Sequence, residues 1–294
     1  MITVLDGAMG SELRLRGVGS ATGLWSAKAL LDAPDMVVQL HKDYIAAGAR
    51  IITTNSYSTV PSYLEKENLS DRYIDLTCLA GELARRAVKE SGEYVRVAGS
   101  LPPLSESYRP DLVPGDSESL PVYEAMAIAL RDNVDLFICE TMSSGTEAVH
   151  AARQACAHGL GKPVMVSWTL NEQPGAGLRS GDTVAEAFKM LQGFEISGYL
   201  FNCTHAEAIL EALKELKKMT DKPIGGYPNR LNVVDPHWTL DNEIQTGMRA
   251  DIDVEYFIGM AERFEAAGAT IIGGCCGIGP EYIAALSDSL GATK

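Results

Sequence analysis

A closed (β/α)8 barrel in a single domain spanning residues 1–294 is the α/β fold this sequence predicts, and three observations carry that expectation. Eight apolar or β-branched runs alternate with eight helix-like segments at even spacing. Such alternation implies a parallel sheet, and eight units match the closed barrel. No composition break, low-complexity run or obvious repeat marks a linker. A 294-residue chain that is 46% hydrophobic can fill one barrel, which typically takes about 250 residues. Lastly, residues with chemical capability fall just past the strand ends, the face on which these barrels place their chemistry. These are Asp6, Asn55, Glu140, Cys203 and the pair Cys275 and Cys276. The alternative is an open doubly wound sheet. It lacks its usual marker, because Asp6-Gly7-Ala8-Met9-Gly10 does not fit Gly-x-Gly-x-x-Gly.

Taken in order, residues 2–5 form a short apolar strand that meets the Asp6-Gly7 turn. Residues 11–33 read as loop, with Gly17, Gly19, Gly23 and Trp25. Pro34-Asp35 starts a helix with Met36, Leu40 and Tyr44 at helical spacing, ended by Gly48. The second strand covers 50–54 and is followed by Asn55-Ser56-Tyr57. A helix over about 70–90 leads to the third strand, 94–98. The Pro- and Ser-rich stretch 101–114 reads as a lid or an insertion. A helix over 118–131 precedes the fourth strand, 135–139, which ends on Glu140. Then follow a helix at 143–158, a strand at 163–167, a Gly-rich loop at 173–181 and a helix at 182–192. The sixth strand, 198–201, ends on Asn202-Cys203. A helix at 206–219, a strand at 223–226 and a long loop at 227–250 come next. A helix at 252–267, a strand at 269–273 and a helix from Pro280 close the chain.

Net charge is −14 with a pI near 4.8, which argues against a nucleic-acid or anionic-membrane partner and leaves small molecules. Six cysteines in a chain this long make no disulfide framework. Cys78, Cys139 and Cys156 sit in helix-like or strand-like segments as small buried residues. The N-terminus lacks a basic, signal-length apolar run, and no segment approaches the ~20 apolar residues of a membrane span. A reducing, cytoplasmic setting is expected, where free thiols persist.

The most informative stretch is Ile271-Ile272-Gly273-Gly274-Cys275-Cys276-Gly277. A disulfide between adjacent cysteines needs a strained ring, so the pair is better suited to holding one soft metal ion, zinc by default. Cys203 offers a third thiolate from 72 residues upstream, far beyond the short spacings of structural zinc fingers. Three distant thiolates around an open fourth position suggest a catalytic site. The competing reading is three unrelated buried or redox cysteines. His205 is either a fourth ligand or a helix-start residue outside the metal shell.

Glu140 either caps the following helix or binds an ammonium group in the barrel mouth. Asp6 is a turn-former or part of the same site, with the Gly7–Gly10 amides free to take a carboxylate. Asn55 and Asn202, at the ends of the second and sixth strands, complete the candidate substrate-binding set. Trp25, Tyr57, Tyr63 and Tyr108 lie in or beside mouth loops. Each is either packing or part of a cation-binding wall, with Trp25, Tyr57 and Tyr108 the donor-site candidates.

These residues resemble the homocysteine S-methyltransferases, a family that includes betaine- and S-methylmethionine-dependent enzymes and the homocysteine module of methionine synthase. The resemblance runs over essentially the whole chain. It rests on Leu5-Asp6-Gly7-Ala8-Met9-Gly10, Thr53-Thr54-Asn55-Ser56-Tyr57, Cys139-Glu140-Thr141, Asn202-Cys203, Tyr227-Pro228-Asn229 and Gly273-Gly274-Cys275-Cys276-Gly277. It implies a (β/α)8 barrel with Zn2+ on Cys203, Cys275 and Cys276, and homocysteine's amino group held by Glu140 with the Asp6-Gly7 turn. The implied reaction moves a methyl group from an onium donor to the homocysteine thiol, giving methionine. Leu24-Trp25-Ser26-Ala27 is similar to the S-methylmethionine branch. Ile278 departs from the Thr of many members. At this length no folate, cobalamin or reactivation module is expected, nor the extended C-terminal arm of the betaine enzymes. Two other classes compete: a zinc barrel that senses a small thiol ligand or works as a redox switch, and a zinc hydrolase. The hydrolase is disfavoured by the all-thiolate donor set.

Overall fold

The computed structural model describes residues 2–18, 24–235, 237–239 and 246–291. Strand β1 (Thr3–Val4) is followed by three helices, α1 (Gly10–Leu15), α2 (Ala27–Asp32) and α3 (Pro34–Ala46). Next come β2 (Ile51–Thr53), α4 (Pro61–Glu65), a 3-10 turn at Ser70–Arg72 and α5 (Tyr73–Ser91). The chain continues through β3 (Arg96–Leu101), a 3-10 turn at Pro110–Leu112, α6 (Asp116–Leu130), β4 (Leu136–Met142) and α7 (Gly145–His158). After β5 (Val164–Trp168) and α8 (Val184–Met190) come β6 (Ile196–Asn202) and α9 (Ala206–Leu216). The last elements are β7 (Ile224–Tyr227), α10 (Val254–Ala266), β8 (Ile271–Ile272) and α11 (Pro280–Ser289).

All the pairings are parallel, in the order β1-β8-β7-β6-β5-β4-β3-β2. The circle closes between β1 and β2 through the Leu5–Ile51 bridge, with Arg50 N donating to Val4 O at 2.8 Å and Asp6 N to Ile51 O at 3.0 Å. The (β/α)8 barrel is therefore the fold. No helix among the described residues is long and apolar enough to cross a membrane.

Strand periodicity builds the site. Alternate side chains face the barrel axis, and Ile51, Ala98, Leu136, Ile138, Met165 and Leu200 pack together there. Two residues nearer the C-terminal end, the same faces carry Thr53, Ser100, Glu140, Ser167 and Asn202. The interior is thus an apolar plug with a polar layer on top. A larger apolar cluster fills the space between the strands and the surrounding helices.

Some expectations need correction. Residues 11–33 contain α1 and α2 rather than loop alone. Each is six residues long, too short to display a helical period. The helix α4, opened by Pro61, was likewise not legible. Gly19 and Gly23 lie outside the described residues. Glu140 does not follow β4 but lies inside it, because the strand runs on to Met142. The stretch 101–114 carries a cavity wall, through Ser107 and Tyr108.

Candidate active site and metal centre

The three cysteines converge at the mouth. Cys203 leaves β6 with φ +52°, and its N–H donates to Tyr227 O at 3.2 Å. Cys275 N–H donates to Pro228 O at 2.8 Å, and Ile278 N–H to Cys275 O at 3.0 Å, which folds the second segment into a tight turn. The paired glycines serve close approach rather than left-handed backbone. A Cβ on Gly274 would lie 2.1 Å from Ile278 Cγ2, and one on Gly273 2.5 Å from Leu5 Cβ. Ile278 is fully buried and packs on Gly274. The Cys275 and Cys276 sulfurs lie 3.0 and 3.8 Å from Cys203 Sγ, and all three fall within 4.8 Å of one another.

Such a donor set fits a soft cation. Thiols on Cys275 and Cys276 donate to Cys203 and hold its pKa well below the ordinary thiol value, against the opposing effect of burial. The same bonds, together with burial, hold Cys275 and Cys276 above theirs. A soft cation can replace the thiol protons of such a cluster. His205 stays outside. It is the residue before α9, its N–H donates to Glu172 Oε2 at 3.0 Å, and its Nε2 lies 2.8 Å from Leu231 O. The cluster contains no histidine or carboxylate, so the hydrolase donor set is not present there.

Two buried carboxyls sit beside the sulfurs. Ser100 Oγ donates to Glu140 Oε1 and Tyr227 OH to Oε2, the latter at 3.4 Å. Glu140 does not cap a helix; Ser144 caps α7 by accepting from Glu147 N at 3.1 Å. Burial pushes the Glu140 carboxyl up to about 7. Asp6 reaches across to β2 rather than closing its own turn, and accepts from Thr53 N at 2.7 Å and from the Thr53 hydroxyl. Burial, with a smaller contribution from Glu140, pushes Asp6 up to about 8. Gly7 lines the same cavity, and a Cβ there would lie 2.3 Å from Ile278 O.

Asn55 donates from Nδ2 to Ser26 O at 3.0 Å. Its buried Oδ1 has no partner among the described residues and is free to accept from a ligand. Asn202 is not among the cavity-lining residues. Its amide is consumed internally: Oδ1 accepts from Thr141 N and Ser167 Oγ, and Nδ2 donates to Thr141 Oγ1. Asn202 thus braces Thr141, whose φ is +60°, beside Glu140.

The aromatic candidates divide. Trp25 and Tyr57 line the cavity and meet edge-on with centroids 6.1 Å apart. The Tyr57 hydroxyl bonds Ser107 Oγ at 2.6 Å. Tyr63 is fully buried and does not line the cavity. Tyr108 lines it, with its hydroxyl 2.8 Å from Cys203 Sγ. Burial holds the Tyr108 phenol well above its usual value, so it remains an O–H donor.

Sequence reasoning missed Arg14, Tyr227 and Trp238 as cavity-lining residues. Tyr227 had a signal, since it lies two positions beyond Gly225 on an axis-facing register. Arg14 follows Ser11 by three residues on α1, which puts both on one helix face.

Thiol cluster, carboxyl pair and aromatic wall share one cavity at the C-terminal mouth, which defines a (β/α)8 barrel whose three-sulfur donor set suits a metal ion. The family model described as homocysteine S-methyltransferase matches residues 3–290. This chain belongs to that family. It is 31% identical to homocysteine S-methyltransferase YbgG of Bacillus subtilis (96% of this chain, 92% of the relative). It is also 26% identical to selenocysteine Se-methyltransferase of Brassica oleracea var. italica (98% and 88%). Among solved structures, the homocysteine methyltransferase MmuM of Escherichia coli in its metallated form superposes with a TM-score of 0.81. That pair is 29% identical and covers 98% of this chain and 96% of MmuM.

Proposed function

We propose that this chain transfers a methyl group from an onium donor, S-methylmethionine-like, to the thiol of homocysteine, giving methionine. Zn2+ on Cys203, Cys275 and Cys276 is part of the reading. The observation that carries it is the meeting of three sulfurs within 4.8 Å of one another with two buried carboxyls and an aromatic wall in one cavity. When bound, zinc supplies the Lewis acidity that makes a coordinating thiol a thiolate at neutral pH.

The chain's own residues do the rest. Glu140 and Asp6 accept the ammonium group of homocysteine, and each becomes ionised as the cation neutralises its burial cost. Asn55 Oδ1 is a further acceptor beside them. Trp25 and Tyr57 present ring surface to the positive donor, worth ~0.5–2 kcal/mol per contact. Arg14 is the one Lys, Arg or His among the described cavity-lining residues. It pairs with the carboxylate that amino-acid and betaine-type donors carry. The attacking sulfur is anionic and the donor cationic, so charge is neutralised in the transfer and a water-poor cavity favours it. No histidine is needed as a base, and none lines the cavity among the described residues.

The test incubates zinc-loaded protein with homocysteine and, separately, S-methylmethionine, S-adenosylmethionine, betaine and dimethylsulfoniopropionate. Selenocysteine is included as an alternative acceptor, and products are quantified by mass spectrometry. Methionine from one donor fixes reaction and branch. No methylated product from any pair would overturn the reading.

A further inference from the structure

Under the methyl-transfer reading, on which this inference rests, several sulfurs compete for one methyl group. The donor's onium carbon must reach the homocysteine sulfur while three protein sulfurs, themselves nucleophiles as thiolates, line the same cavity. Of the three, Cys203 is the one whose sulfur meets the hydroxyl of a cavity-lining tyrosine. Tyr108, on its sulfur, follows Ser107, and the Ser107 hydroxyl bonds Tyr57 in the wall proposed to hold the donor. We infer that Tyr108 is a positioning residue that prevents Cys203 from taking the methyl. Its O–H, 2.8 Å from Cys203 Sγ, donates into a sulfur lone pair and leaves the substrate sulfur as the better nucleophile.

Tyr108 is held for that task. Its backbone is left-handed, φ +66°, and its side chain is buried. The Arg179 guanidinium lies 4.6 Å from its ring centre, and Trp238 meets it edge-on at 5.4 Å. Arg179 is anchored in turn on Glu172 Oε1 at 2.7 Å, with both side chains about nine-tenths buried. Glu172 Oε2 accepts the His205 N–H at 3.0 Å. His205 lies two residues beyond Cys203, so the brace runs from Tyr108 back to the turn that carries the sulfur. Arg179 and Glu172 have no part in the proposed chemistry.

The suppressed reaction is methylation of Cys203 itself. A Cys203 sulfur lone pair forms the new S–CH3 bond. The donor's bond to that carbon breaks, and its electron pair leaves with the neutral sulfide or amine. The resulting thioether is no longer a thiolate ligand.

The experiment follows zinc-loaded wild type, Tyr108→Phe and Arg179→Met through many turnovers with homocysteine and the donor the wild type uses. Intact-protein mass, peptide mapping and released zinc are read together. In Tyr108→Phe, Cys203 should gain one methyl about tenfold faster than in wild type, with zinc released in step. Arg179→Met should show a smaller gain at the same residue. Cys203 left unmodified in a turning-over Tyr108→Phe protein, or a methyl on Cys275 or Cys276 instead, overturns the inference alone. If Tyr108→Phe does not fold, Arg179→Met decides by the same criterion. A wild type that methylates nothing overturns the methyl-transfer reading and this inference with it.

Discussion

Thr53 grips Asp6 at two points, its amide 2.7 Å from Oδ2 and its hydroxyl 3.0 Å from each carboxylate oxygen. Such donors lower a carboxyl pKa, yet Asp6 rises to about 8 and Glu140 to about 7, because burial outweighs them. An ammonium ligand needs the ionised forms. Homocysteine KM should therefore fall as pH rises from 6 to 8, measured by initial rates at saturating donor. Stability should run the other way. Folded Asp6, Glu140 and Glu147 (about 7) keep protons that unfolded carboxyls have lost above about 4. At these three groups the folded state binds more protons across that window, and each lowers stability as pH climbs through it by on the order of 1 kcal/mol per pH unit. Cys203, whose thiol is held low in the folded state, opposes them with one group of the other sign. The melting temperature of zinc-free protein should be higher at pH 6 than at pH 8.

Glu140→Gln keeps the shape of the side chain and removes the charge. Homocysteine KM should rise roughly 10–100-fold, the cost of one hydrogen-bonded charge contact of ~1.5–3 kcal/mol. The KM change between pH 6 and 8 should shrink at the same time. An unaltered KM in steady-state assays would separate Glu140 from substrate binding.

Much of this site was legible and part of it was not, for physical reasons. Cys203, Cys275 and Cys276 stood out because packing alone does not place adjacent thiols among glycines. Glu140 stood out because a carboxyl ends an apolar run. The capping alternative failed because β4 runs on and Ser144 takes the cap. The contact of Tyr108 with Cys203 spans 95 residues. It depends on how a loop folds over the mouth, which local pattern does not encode. Asn202 looked like a ligand group because it lies at the end of the sixth strand, and only the structure shows its amide saturated by Thr141 and Ser167.

Arg14→Ala tests the carboxylate end of the donor. KM for a carboxylate-bearing donor should rise about tenfold, the effect of losing ~1.4 kcal/mol. KM for the same donor as its methyl ester should stay level. Equal changes with both would assign Arg14 to something other than donor recognition.

Gly274→Ala would force a Cβ to 2.1 Å from Ile278 Cγ2 in a fully buried contact. Overpacking of this kind costs typically ~1–3 kcal/mol. Calorimetry should show a lowered melting temperature, and zinc should bind more weakly, because the strain falls on the turn that carries Cys275. Gly274→Ala combined with Ile278→Val should recover part of the loss.

The proposed chemistry depends on three cysteine sulfurs holding zinc and leaving one position for the substrate sulfur. Zinc-edge X-ray absorption of the loaded protein, alone and with selenohomocysteine, tests it most directly. Sulfur neighbours at about 2.3 Å from Cys203, Cys275 and Cys276 are expected, with one selenium neighbour added on binding. Cys275→Ala should retain neither zinc nor turnover. A zinc shell unchanged by selenohomocysteine, or a fully active zinc-free Cys275→Ala protein, would contradict it.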